Sequence, residues 1–337
     1  MIRLKCQIIF KTAPTIIYDY AADVEIKSSW ADLTDTARIT LSKKITLQDR
    51  EIVTGTNPLL KRGVGVEIWL GYEKNADGTG DDLVKQFDGY ISGITPKLPM
   101  IIDCQDALWK LKQTVLKPKK FKSTDNAKVK DVLEYALVGT DFDIKTNVKY
   151  IDASVGVFEV FPNANVSQVF EELKKTYGFE TFIRDGVLYV GLAYVSNLRR
   201  DVALAFDTNI VENNLEWQTK DDIKIKLKAI NINKDNTIYT YEKGDADGQQ
   251  RTLYFYQLTE AELKKRAEEE FTKLFYTGFR GKIKTFGEPS VRHQDAVILT
   301  DPIVKDRSGT YLVKSTTKTF GMSGYRQDIE IDRKISN

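Results

Sequence analysis

Apolar and polar residues alternate along this chain with two different periods, and the change of period divides it into three stretches. Up to about residue 105 the period is two. "ADVEIKSSW", "ARITLSKKI", "GVGVEIWLGYE" and "KQFDGYISGITPKL" each alternate apolar with polar, which predicts strands. "KNADGTGDD" between the last two suits a hairpin tip. "PMIIDCQDALWKLKQ" then turns from strand to a short helix with Ala107, Leu108 and Leu111 on its apolar side.

The middle stretch switches to helical spacing. In "FPNANVSQVFEELKKTYGFETFIRDGVLYVG", Asn165 is an N-cap and Gln168 completes a capping box. Val166, Val169, Phe170, Leu173 and Tyr177 form one apolar stripe, and Gly178 supplies the left-handed residue that ends a helix. Phe179, Thr181 and Ile183 alternate as a strand, Asp185-Gly186 signals a hairpin turn, and Leu188 and Val190 alternate back. A helix packed on a hairpin is expected, not a nucleotide-binding fold. A weaker copy lies upstream: Asn126-Ala127, Val129, Val132, Leu133-Glu134 and Phe142 match Asn163-Ala164, Val166, Val169, Phe170-Glu171 and Phe179. Duplication accounts for this echo, and so does the convergence of amphipathic helices on similar patterns.

The third stretch returns to period two. "DIKIKLKAININ" turns Ile223, Ile225 and Leu227 inward, and "TIYTYEKGDADGQQRTLYFYQL" reads as a hairpin around Gly-Asp-Ala-Asp-Gly. Its Tyr241-Glu242-Lys243 and Ala246-Asp247-Gly248 echo Tyr72-Glu73-Lys74 and Ala76-Asp77-Gly78, a hint that the two outer stretches copy one β-fold. One helix interrupts, with a Thr259/Glu262 capping box, Leu263, Ala267, Leu274 and Phe275 on one face, and Gly278 as its closing residue. Its Lys264–Glu268 and Glu269–Lys273 pairs are expected on the solvated side. Three further strands follow. The expected division is 1–105, 106–200 and 201–337.

Between the first two stretches, six lysines fall from Lys110 to Lys122 with no acid among them. Pro118 interrupts the run, so it reads as a solvated linker. Lys117, Lys119, Lys120 and Lys122 are the candidates there for contact with an acidic partner surface or nucleic acid. Only Phe121 offers a stacking platform, which disfavours single-stranded nucleic acid.

Composition narrows the class without naming it. The 337 residues are 42% hydrophobic and 29% charged, ordinary for a globular protein with two or three cores. Fifty basic against forty-eight acidic residues give +2, unlike a dedicated nucleic-acid binder. No apolar run is long enough to span a bilayer, and "MIRLKCQIIFK" is too short and interrupted for a signal peptide, so a cytosolic origin is expected. Cys6 and Cys104 could pair, but buried thiols are the preferred reading.

Catalytic vocabulary is sparse. His293, the single histidine, sits in "PSVRHQDAV" and reads as a surface turn residue. One His and two distant Cys make no zinc or iron ligand set. Asp77, Asp81 and Asp82 crowd one loop and Asp245 and Asp247 another, in neither case with calcium-loop order, so hydrated tips are expected. No phosphate loop, nucleophile elbow or dinucleotide fingerprint is present, and no cofactor is expected.

The closing segments "GKIKTFGEPSVRHQDAVIL" and "GTYLVKSTTKTFGMSGYRQDIEI" resemble the C-terminal signature of bacteriophage tail baseplate hub proteins of the late-control-D type. The matching residues are Gly287, Pro289 and Val291, then Asp295, then Gly309, Tyr311 and Val313, and last Gly324 and Tyr325. The family often has Gly before the Asp, where this chain has Gln294. Structurally, Gly287 and Pro289 would fix a tight turn, with positive φ at the glycine, and Gly309 would let a hairpin close. The motif covers the last fifty residues and the domain order nearly the whole chain, the middle helix included.

The resemblance implies an α+β, mainly β fold, in which two related barrel-like, tube-like β-domains flank an α/β middle domain and form a ring. It implies a homotrimer, pseudo-sixfold, that joins the tail tube protein to the central spike protein in the virion baseplate, assembled in the bacterial cytoplasm. No enzymatic activity, specific nucleic-acid binding or membrane insertion follows from it, although the lumen could pass DNA. A hub portion of a type VI secretion spike is the alternative, disfavoured by the missing C-terminal spike repeat. A carbohydrate-active β-protein using acidic loops comes third; its aromatic platform would need Trp30, Trp69, Trp109 or Trp217, all in core-like patterns.

Overall fold

The computed structural model describes all residues except 1–2, 43, 48–49, 54–58, 74–82, 96–98, 123–126, 234–236, 305–307 and 336–337. The chain is mainly β, and its largest element is a 13-stranded sheet to which both outer stretches contribute. From one edge the path runs Ile210–Gln218, Gly278–Phe286, Gly324–Lys334, Gly309–Gly321, Asp23–Ser29, Thr36–Leu41, Met100–Gln105, Val84–Thr95, Gly65–Glu73, Arg3–Lys11 and Ile16–Tyr18. The pairing among the described residues is open and closes no barrel.

Gly309–Gly321 is the strand that makes this possible. Along one edge it pairs with Gly324–Lys334. Along the other it pairs with Ala296–Thr300 through Gly309–Leu312, then with Asp23–Ser29 through Ser315–Gly321. Its register with Gly324–Lys334 shifts twice between Tyr311 and Ser315, at the point of changeover. Such irregularities bend and twist a strand, which lets one strand serve two neighbours in succession.

The alternation in the sequence becomes burial. Ile8, Phe10, Ile39, Leu41, Ile68 and Leu70 form one core, which Phe320 and Tyr325 enter from the C-terminal strands. Leu204, Ile283, Val297, Tyr311 and Ile329 form a second. Cys6 and Cys104 are buried free thiols.

The middle stretch folds as its pattern indicates. Helix Val166–Tyr177 begins at Asn165, whose side chain accepts from Gln168 N at 3.0 Å while Gln168 Oε1 accepts from Asn165 N at 2.9 Å. Gly178 ends it at φ 69°. The hairpin Glu180–Arg184/Val187–Gly191 turns on Asp185 and Gly186 at φ 52° and 77°, and Val148–Tyr150 adds a parallel third strand. The upstream echo does form a helix, Val129–Ala136, in the same core, but turns rather than a hairpin follow it directly. Asn126 lies outside the described residues.

Three expectations are corrected. The lysine run is a loop only in part: residues 112–118 are turns and irregular chain, but Lys119–Phe121 pairs with Phe158–Val160 and Phe121 is buried in the middle core. The "hairpin" around Gly-Asp-Ala-Asp-Gly is not one either. Ile238–Gly244 and Gln249–Tyr256 lie on opposite sides of Ile225–Ile232, antiparallel and parallel to it. The loop instead crosses the end of that central strand, with Asp245 N and Gln249 N bonded to Ile225 O and Lys224 O. The tip "KNADGTGDD", residues 74–82, lies outside the described residues. Finally, helix Glu260–Leu274 ends before Gly278, which opens the next strand. Its Leu263 and Ala267 pack on Leu227 and Ala229, and Glu268 accepts from Tyr241 and pairs with Lys243.

Crossing a strand end at close range explains the loop's glycines. Gly244 has φ 110°, and a Cβ there would lie 2.0 Å from Ile225 O. Gly244→Ala is therefore expected to lower stability by about 1–3 kcal/mol. Gly93→Ala, at a strand glycine with open space and no positive φ, is expected to be neutral or slightly stabilising. Denaturant titration of both variants checks the contrast.

Candidate functional site

The polar groups that the signature brings together are buried where the three stretches meet. Strand Gly278–Phe286 ends at Gly287, whose N donates to Tyr325 O at 3.0 Å and to the Tyr72 hydroxyl at 3.3 Å. Gly287 does not have positive φ; it is required because a Cβ would lie 2.1 Å from the Tyr325 ring. Gln327, fully buried, donates to Pro289 O at 2.7 Å and accepts from Val291 N at 3.0 Å, so one side chain sets the turn's register. Gly324 has φ 100° in the tight turn after Gly321. Gly309 opens its strand, close against Tyr311 and Lys334. Tyr311 and Val313 are both fully buried, and the Tyr311 hydroxyl accepts from Phe279 N.

Beyond this turn lies an ionic knot. Asp295 is completely buried; it accepts from Arg184 Nη2 at 3.0 Å, Arg200 Nε at 3.1 Å and Arg292 N at 2.9 Å, with a second bond from Arg200 Nη2. Burial pushes its pKa up, but the Arg200 and Arg184 hydrogen bonds outweigh that and hold it below the usual carboxylate value. Arg184 comes from the middle hairpin, is itself buried, and also donates to His293 O.

His293 is not a surface residue. It is 2% exposed, edge-on to the Phe182 ring, and its Nδ1 has no hydrogen-bond partner among the described residues. Burial, helped by the Arg184 charge, lowers its pKa to about 3, so it is neutral in the folded protein. Next to it, Gln294 occupies φ 77°, the conformation a glycine would take without strain. Its side chain accepts from Val195 N at 2.9 Å and donates to Ala193 O, tying down the segment that leaves the middle hairpin.

A second polar link joins the first and third stretches. Lys318 is 3% exposed; its Nζ donates to Ser290 Oγ at 2.7 Å and to Gln86 Oε1, which also accepts from Ser290 Oγ. Burial lowers this amine to about 7. An acid pair, Asp106 buried and Asp35 partly so, sits at another corner. Asp106 accepts from Asp35 N and Leu108 N, and Asp35 accepts from Ser28 Oγ and Ser29 N. Burial raises both pKa values, Asp35 to about 7, and each carboxyl serves a strand end or helix start.

The lysines of the run are mostly engaged within the fold. Lys110 pairs with Asp141 and lies over Tyr90, Lys119 lies over Phe121 and Tyr135, and Lys120 pairs with Glu159 at 3.4 Å. Lys117 contributes its carbonyl to the Tyr135 hydroxyl, and Lys122 is also in contact. Of the acidic tips, Asp245 and Asp247 are exposed, and 77, 81 and 82 lie outside the described residues. No cluster of three or more metal-ligating side chains occurs among the described residues.

Sequence reading found the turn but missed Arg184, Gln327, Lys318 and Gln86. Gln327 carried a usable signal, because it lies on the inward side of a strand whose other inward residues are Tyr325, Ile329 and Ile331.

No protein-family model matches the chain, and no curated relative does. Solved structures do. A tail protein from Neisseria meningitidis superposes with TM-score 0.64 at 14% identity, covering 98% of this chain and 97% of the other. The 43 kDa tail protein of prophage MuSo2 from Shewanella oneidensis gives 0.61 at 14%, covering 97% and 98%. An Escherichia coli type VI secretion component, described as similar to the T4 tail proteins gp27 and gp5, gives 0.56 at 9%, covering 94% and 74%. The chain therefore has the fold of these tail and secretion proteins from end to end, in line with the resemblance carried by its last strands.

Two predictions follow from the knot. Between pH 6.5 and about 3 the unfolded chain binds a proton at His293 that the folded chain refuses. Its contribution is thus complete above that window and is lost as pH falls, at up to ~1.4 kcal/mol per pH unit. His293→Leu is expected to flatten the stability–pH curve there relative to the parent; an unchanged slope would refute the burial argument. At Gln294, the Ala variant keeps the strained φ and loses both hydrogen bonds, whereas Gly loses only the bonds. Stability measured by denaturation should run Gln above Gly above Ala, with about 1–2 kcal/mol between the last two.

Proposed function

We propose that this chain is a structural hub subunit of a phage tail or related contractile injection particle, joining the tail tube to the central spike. The observation that carries this reading is the end-to-end overlap of its fold with tail proteins, about equally complete in both chains. A type VI secretion component shares the fold as well, so the reading is set at the level of the hub role common to both kinds of particle. In this reading the role is structural, without catalysis or cofactor.

In this reading the chain divides near residues 105 and 200, and the outer β-portions of three copies line a pseudo-sixfold ring. Gly287, Pro289, Gly309 and Gly324 set the register of its lining strands. The partners are the tube and spike proteins; Lys117, Lys119, Lys120 and Lys122 offer one cationic stretch to an acidic surface. The particle's tail is the site of action, and assembly takes place in the bacterial cytoplasm.

Electron microscopy and light scattering across a concentration series, with and without the spike protein, test this. A closed trimeric ring with a central hole is expected; monomer throughout, or a dimer, overturns the reading. Gly287→Val should abolish the ring, because the new side chain must displace Tyr325 at a cost of about 1–3 kcal/mol.

A further inference from the structure

The sheet Ile238–Gly244, Ile225–Ile232, Gln249–Tyr256 has an open edge in a telling place. Gln249–Tyr256 pairs with Ile225–Ile232 over eight positions and with no other strand among the described residues. Its free edge forms one wall of a cleft of about 1100 Å³ between the middle stretch, helix Glu260–Leu274 and the last strand. Leu253 and Phe255 pack toward that helix, while Tyr254 and Tyr256 lean on the middle unit through Lys175 O, Tyr177 O and Gly178. Both faces of the strand are thus held, and its edge faces the cleft. An eight-residue edge with three consecutive aromatics and no proline or bulge is what proteins normally avoid leaving open.

Charge identifies what the cleft would accept. Its five carboxylates are all engaged: Glu180 by Lys174, Glu270 by Arg333, Asp152 by Lys128, Asp332 by the Tyr194 hydroxyl, and Asp222 by Thr219 N and Oγ1. Arg251, on the edge strand itself, and Arg280, in strand Gly278–Phe286 across from Glu216, also line the cleft, and neither is in an ion pair within 4 Å among the described residues. Both charges act on the Tyr276 hydroxyl: burial pushes that group up to about 12, and Arg280 and Arg251 pull against the rise.

We propose that this cleft captures an extended, acidic segment of another polypeptide, which adds as a fourth strand to the Gln249–Tyr256 edge with its carboxylates on Arg251 and Arg280. Main-chain hydrogen bonds would supply affinity and the two arginines would supply selectivity. The site is independent of the hub reading, because a single chain carries all of it.

The test uses fluorescence anisotropy with a synthetic peptide of alternating Glu and Val on the full chain. Its controls are a Lys/Val counterpart and a Glu/Val peptide N-methylated at alternate residues, which cannot complete a ladder. Only the unmethylated acidic peptide should bind, more weakly as salt rises. Arg251→Glu with Arg280→Glu should weaken it by about tenfold or more, with Arg251→Gln intermediate. Amides of 249–256 should gain hydrogen-exchange protection on binding. Absence of binding, equal binding of the Lys peptide, or indifference to N-methylation overturns the proposal. Self-association of the free chain that the peptide competes away overturns the choice of partner, since the occupant would then be a second copy.

Discussion

The buried carboxylate of Asp295 is the point on which the arrangement of this chain depends. It takes two guanidinium groups and a backbone amide, from Arg184, Arg200 and Arg292. Its own backbone carbonyl accepts from Val313 N at 2.9 Å, in the long strand that runs on to pair with Asp23–Ser29. A force on the middle hairpin therefore passes through Arg184 to Asp295, then to Val313 and into the N-terminal strands. Buried ion pairs add little net stability over a well-packed apolar contact, but losing one partner costs about 3–5 kcal/mol because a charge is stranded. Such a contact selects one geometry rather than adding strength to many.

Lys318 extends the same logic to the other seam. Its amine is held in a buried position by Ser290 and Gln86, the latter on a strand far away in sequence. Near neutrality this amine is close to its midpoint, pushed there by burial, with the Arg292 charge adding to the shift. Asp295 and Lys318 thus differ in kind. The carboxylate is overcompensated by its arginines and stays charged, whereas the lysine is undercompensated and titrates.

How much of this was legible follows from what each feature depends on. Helix Val166–Tyr177 and its hairpin were readable because the cap, the apolar stripe and the Asp-Gly turn are all local. The last two strands were readable for the same reason, whereas "GKIKTFGEPSVRHQDAVILTD", expected as one strand, holds two, Gly278–Phe286 and Ala296–Thr300. Strand partners were not. Ile238–Gly244 and Gln249–Tyr256 look like a hairpin because their loop is rich in Gly and Asp, yet those glycines are there to pass over Ile225. At Gly287 the local reading pointed to backbone freedom, whereas what crowds a side chain there is the Tyr325 ring, thirty-eight positions away and invisible to a local reading. His293 was misplaced because a polar residue among Ser, Arg, Gln and Asp reads as a solvated turn. Those neighbours are polar because they form the knot, and Arg184 that completes it lies in another stretch. The lysine run misled similarly: its charges suggested a linker, while Phe121 and the pairing with Phe158–Val160 made it part of a core.

Polar joints suit the proposed ring for a geometric reason. In a closed ring each subunit must present its two contact faces at one fixed angle, since an error in that angle accumulates at every interface and is met at closure. Apolar packing tolerates small rotations, because its energy depends chiefly on area. A hydrogen-bonded ion knot does not, because its donors lose energy steeply once misaligned. Gln294 carries this furthest: it accepts a left-handed backbone where glycine would sit without strain, and in return its side chain pins Ala193 and Val195. Rigidity between the parts is the property for which that strain is retained, and the open edge at Gln249–Tyr256 lies where such a rigid frame would hold a docked strand in place.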